Sequence, residues 1–69
     1  MSESTSTWTV TGMTCSHCEA SVREEIGEIP GVRAVTASHE SGEVVVTSDR
    51  PLGRDEVAAA VTEAGYALS

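Results

Sequence analysis

At 69 residues the chain supports one domain with a small core, and with Trp8 and Tyr66 as its only aromatic residues that core must come from Val, Ile, Ala and Leu. The formal charge is −7, with four arginines and no lysine. Such a chain lacks the cationic face that phosphate recognition needs, which excludes nucleic acid and anionic membrane as expected partners.

Residues 1–6 are small and polar and are expected to form a disordered tail, with the folded domain spanning 7–69. The tail has neither a basic end nor an apolar stretch, so it does not read as a secretion signal. No apolar run approaches the ~20 residues of a bilayer span. A cytosolic location is the expectation, and there two cysteines stay thiols.

From Thr7 to Thr11 the sequence alternates strictly, with Trp8 and Val10 on one side and three threonines on the other. This predicts a half-buried strand that Gly12 ends. A helix is expected from about Ser16. Cys18, Val22, Ile26 and Ile29 recur at spacings of four, four and three and mark its buried stripe, and Pro30-Gly31 stops it. Glu19, Glu24, Glu25 and Glu28 form a solvated face of this helix, or a docking surface for a basic partner. Val32 to Ser38 and Glu43 to Thr47 read as a strand hairpin around the turn signal Glu40-Ser41-Gly42. A second helix is expected over Arg54 to Ala64, with Val57, Val61 and Ala64 buried. Asp55 and Glu56 complement its dipole, and Gly65 caps its end. Tyr66-Ala67-Leu68 suffices for a short last strand. The order βαββαβ predicts an α+β, ferredoxin-like fold: a four-stranded antiparallel sheet with two helices on one face.

The chemistry lies in Gly12-Met13-Thr14-Cys15-Ser16-His17-Cys18. Residues three apart at a helix start share a face, so the two thiolates can converge on one ion. The free N–H groups and positive end of the helix favour thiolate. Thiolates select soft ions such as Cu(I) and Zn over hard cations. Structural zinc wants four ligands, and this chain has one cysteine pair. Cu(I) is content with two or three ligands. Taken alone, Cys-x-x-Cys also fits a dithiol redox protein.

The context narrows this. The sequence Gly-Met-Thr-Cys-x-x-Cys follows a predicted strand and opens a predicted helix. With Pro30-Gly31-Val32 and Ala64-Gly65-Tyr66, it resembles the heavy-metal-associated domain family from about Thr7 to Leu68. Within that family it is most similar to the bacterial copper chaperones that serve copper-exporting P-type ATPases. The resemblance implies that Cys15 and Cys18 ligate Cu(I), that Met13 is buried and braces the loop, and that Tyr66 lies near the site. It implies a non-enzymatic carrier that passes Cu(I) by ligand exchange to a metal-binding domain of the ATPase, with a copper-responsive regulator as a further recipient. Such a carrier is a monomer without metal, and its exposed dithiolate leaves a metal-bridged dimer open. His17 is left as a third ligand, a modulator of thiolate charge, or a plain surface residue. His39 is expected far from the cysteines. A mercury, zinc or silver carrier and a dithiol redox protein are the competing functions. Two features depart from the family pattern: the missing lysines, and Gly53, a weaker cap than serine, before the second helix.

Overall fold

The computed structural model describes residues 3–69. Its elements are β1 (Ser4–Thr11), α1 (Ser16–Gly27), β2 (Val32–Ala37), β3 (Glu43–Ser48), α2 (Arg54–Glu63) and β4 (Ala67–Leu68). The four strands form one antiparallel sheet in the order β2-β3-β1-β4. Both helices cover one face, as the βαββαβ order predicts. Val10, Val44 and Val46 from the sheet meet Val22 and Ile26 of α1 and Val57, Ala60 and Val61 of α2 in the core. Each fully buried Val or Ile contributes about 1.5–3 kcal/mol relative to an exposed one. None of the described helices is long and apolar enough to cross a membrane.

The alternation expected in β1 is present, with Val10 inward and Thr7 and Thr9 out; in β3 Val44 and Val46 point inward and Val45 faces out. The expected tail of residues 1–6 is corrected, because β1 begins at Ser4. Ser4 pairs with Ser48 and Ser6 with Val46. Ser48 is 1 % exposed, and its hydroxyl donates to the carbonyls of Arg50 and Ser4. A run of Ser and Thr carries no hydrophobic period, so its strand character comes from pairing and not from its own pattern. The part of the expected tail at residues 1 and 2 lies outside the described residues.

Helix α1 stops at Gly27, short of Ile29, which is half-buried beyond the helix end. Gly53 does precede α2, and the cap is partly rescued. The Gly53 N–H donates to the Glu56 carboxylate at 3.4 Å, leaving undone only the half of a capping box that needs a side chain on residue 53.

Antiparallel pairing decides which loops are neighbours. Thr9 lies opposite Glu43, and the Val10 N–H donates to the Gly42 carbonyl at 2.8 Å. Thr11 lies opposite Ala67. The end of β1, the β2–β3 turn and the α2–β4 turn therefore share one end of the domain. That end carries the cysteine motif.

Candidate metal centre

Residues 12–15 connect the sheet to α1. Met13 is 7 % exposed and sits in the core cluster, so the loop is held at one point by apolar packing. Cys15 is the N-cap residue of α1, in extended conformation and exposed. Cys18 is buried and lies in the first helical turn, where its N–H and that of Glu19 donate to the Cys15 carbonyl at 3.1 and 3.3 Å. This turn brings the two sulfurs to 3.5 Å from each other. One thiol is thus fixed from beneath and the other stands open.

Tyr66 reaches the pair through the α2 terminus. Gly65 adopts φ +92°, its N–H donates to the Thr62 carbonyl at 2.9 Å, and the Tyr66 N–H donates to the Val61 carbonyl at 3.0 Å. This is a Schellman ending, which requires a left-handed residue at Gly65. It turns the chain so that the Tyr66 ring packs over Gly12, where an added Cβ would stand 3.1 Å from the ring Cδ1. This sets the Tyr66 hydroxyl near enough to the Cys18 sulfur to act on its charge.

The electrostatics follow from these contacts. The Cys18 thiol is lowered to about 6, first by the Thr14 backbone N–H, then by the Tyr66 hydroxyl and the Cys15 thiol, against an opposing effect of burial. The Thr14 hydroxyl also lies 3.8 Å from the Cys18 sulfur. The expected thiolate stabilisation is present, but its largest cause is an amide of the loop before the helix. Tyr66 is pushed up from the usual phenol range, chiefly by its hydrogen bond to Cys18. A thiolate beside it favours the phenol that keeps its proton.

His17 is exposed. Among the described residues, no group of three His, Cys, Asp or Glu side chains gathers where it could hold a metal ion. His39 departs from expectation. The β2–β3 turn lies at the cysteine end, and His39 contacts the residue that follows Cys18. Its N–H donates to Glu19 Oε2 at 2.7 Å and its Nδ1 to the same oxygen at 2.6 Å. These bonds, the backbone one first, hold the Glu19 carboxyl below the usual carboxylate range. Glu19 therefore leaves the solvated face on which sequence placed it, while Glu24 and Glu28 stay exposed. The sequence held one clue: the turn after His39 is short, so pairing β3 with β1 had to bring it to the end of β1.

Comparison with known proteins identifies the family and the fold. The family model described as "heavy-metal-associated domain" matches residues 7–67. The copper chaperone CopZ of Bacillus subtilis is 38% identical over 58 residues, covering 83% of this chain and 84% of that protein. A mercuric reductase of Serratia marcescens is 37% identical over 57 residues; the match covers 83% of this chain but only 12% of the reductase, so the likeness is to one small part of that enzyme. Among solved structures, a CopZ metallochaperone superposes with a TM-score of 0.86 at 28% identity, covering 96% of this chain and all of that one.

Proposed function

The chain belongs to the heavy-metal-associated domain family, and from that premise we propose that it is a cytoplasmic copper chaperone and not an enzyme. It binds one Cu(I) through Cys15 and Cys18 and passes it by thiolate exchange to a metal-binding domain of a copper-transporting P-type ATPase, or to a copper-responsive regulator. The observation that carries this reading is the isolated pair of sulfurs, 3.5 Å apart at the end of the domain, with no third ligand group gathered beside it among the described residues.

Coordination chemistry supports each step. Two sulfurs about 2.3 Å from a common ion stand at most about 4.6 Å apart, so a pair at 3.5 Å opens by roughly 1 Å to hold an ion in line. The exposed Cys15 side chain supplies that movement, while Cys18 stays held in the first turn of α1, packed in the core with Met13. Cys18 is ionised above a pH of about 6, and Cys15 gives its proton to solvent as its sulfur bonds the ion. A soft ion with two ligands accepts a third thiolate from a partner before it releases the first. The bond that breaks first is the one to the open sulfur, Cys15. The same exposure allows a second copy to share the ion, giving a metal-bridged dimer from a metal-free monomer. His17 is exposed at the start of α1, and a change in Cu(I) affinity in His17→Ala decides between a third ligand or modulator and a plain surface residue.

The match to part of a mercuric reductase favours one second reading, carriage of another soft ion such as mercury through the same two sulfurs. Transfer separates the readings. Protein loaded with one Cu(I) is mixed with a metal-free amino-terminal domain of a copper-transporting ATPase under reducing, anaerobic conditions, and the two are separated. Copper recovered with the acceptor even in the presence of excess weak chelator supports direct exchange. Copper that stays with the donor or passes only to the chelator contradicts it. Turnover of a protein disulfide by the metal-free dithiol at rates above those of free thiols would favour redox chemistry instead.

A further inference from the structure

We propose that His39 sets metal selectivity by withholding the Glu19 carboxylate from the cysteine pair. The inference rests on the carrier reading above and deepens it. Glu19 is four residues after Cys15 and one after Cys18. Cys15 caps α1 and Glu19 lies in its first turn, where the Glu19 N–H bonds to the Cys15 carbonyl at 3.3 Å. Glu19 is thus the acidic side chain placed by sequence to add an oxygen to ions held by Cys15 and Cys18. Its carboxylate is turned instead toward the β2–β3 turn, where Oε2 accepts two hydrogen bonds from His39 at 2.7 and 2.6 Å. Both side chains are half-buried, at 33% and 21% exposure, so the pair is held by packing as well as by hydrogen bonds. The turn is itself fixed to the sheet through the Val10 N–H to Gly42 carbonyl bond.

The chemical consequence differs between ions. Zinc and similar divalent ions take four ligands, and a carboxylate oxygen is an accepted member of the set. A soft monovalent ion satisfied by two thiolates gains little from a hard oxygen. Holding Glu19 aside therefore denies divalent ions a third protein ligand and leaves Cu(I) binding almost untouched. His39 never meets the ion; it acts through the position of Glu19.

The test compares ions in one set of full-length variants, each checked for folding by thermal unfolding. For H39A, Zn(II) affinity measured with a chromophoric chelator is expected to rise by about tenfold, the usual scale for a change in an outer contact of a metal ligand, with Cu(I) affinity within about twofold of wild type. The H39A/E19Q double variant is expected to return to wild-type zinc affinity, and E19Q alone to leave it unchanged. Zinc affinity unchanged in folded H39A overturns the proposal. A gain that survives in the double variant, equal losses for both ions, or a weakened zinc affinity in E19Q alone overturns it as well. Failure of the wild type to hold Cu(I) would remove the carrier reading and leave the zinc comparison still readable.

Discussion

Gly12→Ala tests how the sheet end, the Tyr66 ring and the Cys18 thiolate are linked. Gly12 has φ +100°, and the new Cβ would lie 3.1 Å from Tyr66 Cδ1. A non-glycine residue in such a conformation costs about 1–3 kcal/mol. Carbon atoms prefer about 3.5–4.0 Å, so the ring must also retreat by roughly half an ångström. That retreat moves the Tyr66 hydroxyl away from the Cys18 sulfur and weakens its lowering of the thiol. Two consequences follow together. The unfolding midpoint in a thermal scan should fall by roughly 5–20 °C, since 1 kcal/mol moves a domain of this size by about 4–8 °C. The thiolate absorbance of the reduced, metal-free protein should titrate above the wild-type value of about 6. Tyr66→Phe separates the effects: it removes the hydroxyl without backbone strain, so the titration rises while stability changes little. Wild-type stability and an unmoved titration in Gly12→Ala would refute the account of this end of the domain.

Three further outcomes follow from the packing and the titration. Ile26 is fully buried, and Ile26→Ala should cost about 2–5 kcal/mol in urea unfolding, against a total of roughly 3–10 kcal/mol for a chain of this length. Ser48→Ala should lose about 1 kcal/mol and raise hydrogen exchange at the start of β1, because the Ser48 hydroxyl bonds carbonyls at Ser4 and Arg50. The folded Cys18 titrates at about 6 against 9.0 in an unperturbed thiol, so the unfolded chain binds more protons between those values. The stability of the reduced, metal-free protein should then increase from pH 6 toward 9, and Cys18 should contribute nothing below 6; Cys18→Ser should flatten that slope.

The sequence was most legible where apolar residues keep a period. Trp8 and Val10, and the stripe of Cys18, Val22 and Ile26, each placed an element on its correct face. The start of β1 was not legible, since Ser4 and Ser6 owe their strand geometry to distant partners on β3, Ser48 and Val46. The cysteine pair was visible from its spacing and flanking elements. Its surroundings depended on tertiary register. Tyr66 could be placed only through family likeness, although the Gly65 turn that aims it has a local signal. The contact between His39 and Glu19 had only the short turn after His39 as a clue, because it needs the sheet order that brings the β2–β3 turn to the end of β1. The cause of the lowered Cys18 thiol was equally hidden: the Thr14 amide acts on the sulfur through the loop conformation, which residue types alone do not state.

The claim that Cys15 and Cys18 form a two-sulfur site for a transferable Cu(I) is tested most directly by anaerobic titration of the reduced protein with Cu(I) against a strong competing chelator, read by mass spectrometry of the intact complex. The wild type should hold one Cu(I) per chain, with a metal-bridged dimer appearing as copper is added, and Cys15→Ser and Cys18→Ser should each lose that copper to the chelator. A wild type that holds no copper, or a Cys15→Ser variant that binds as well as the wild type, would contradict it.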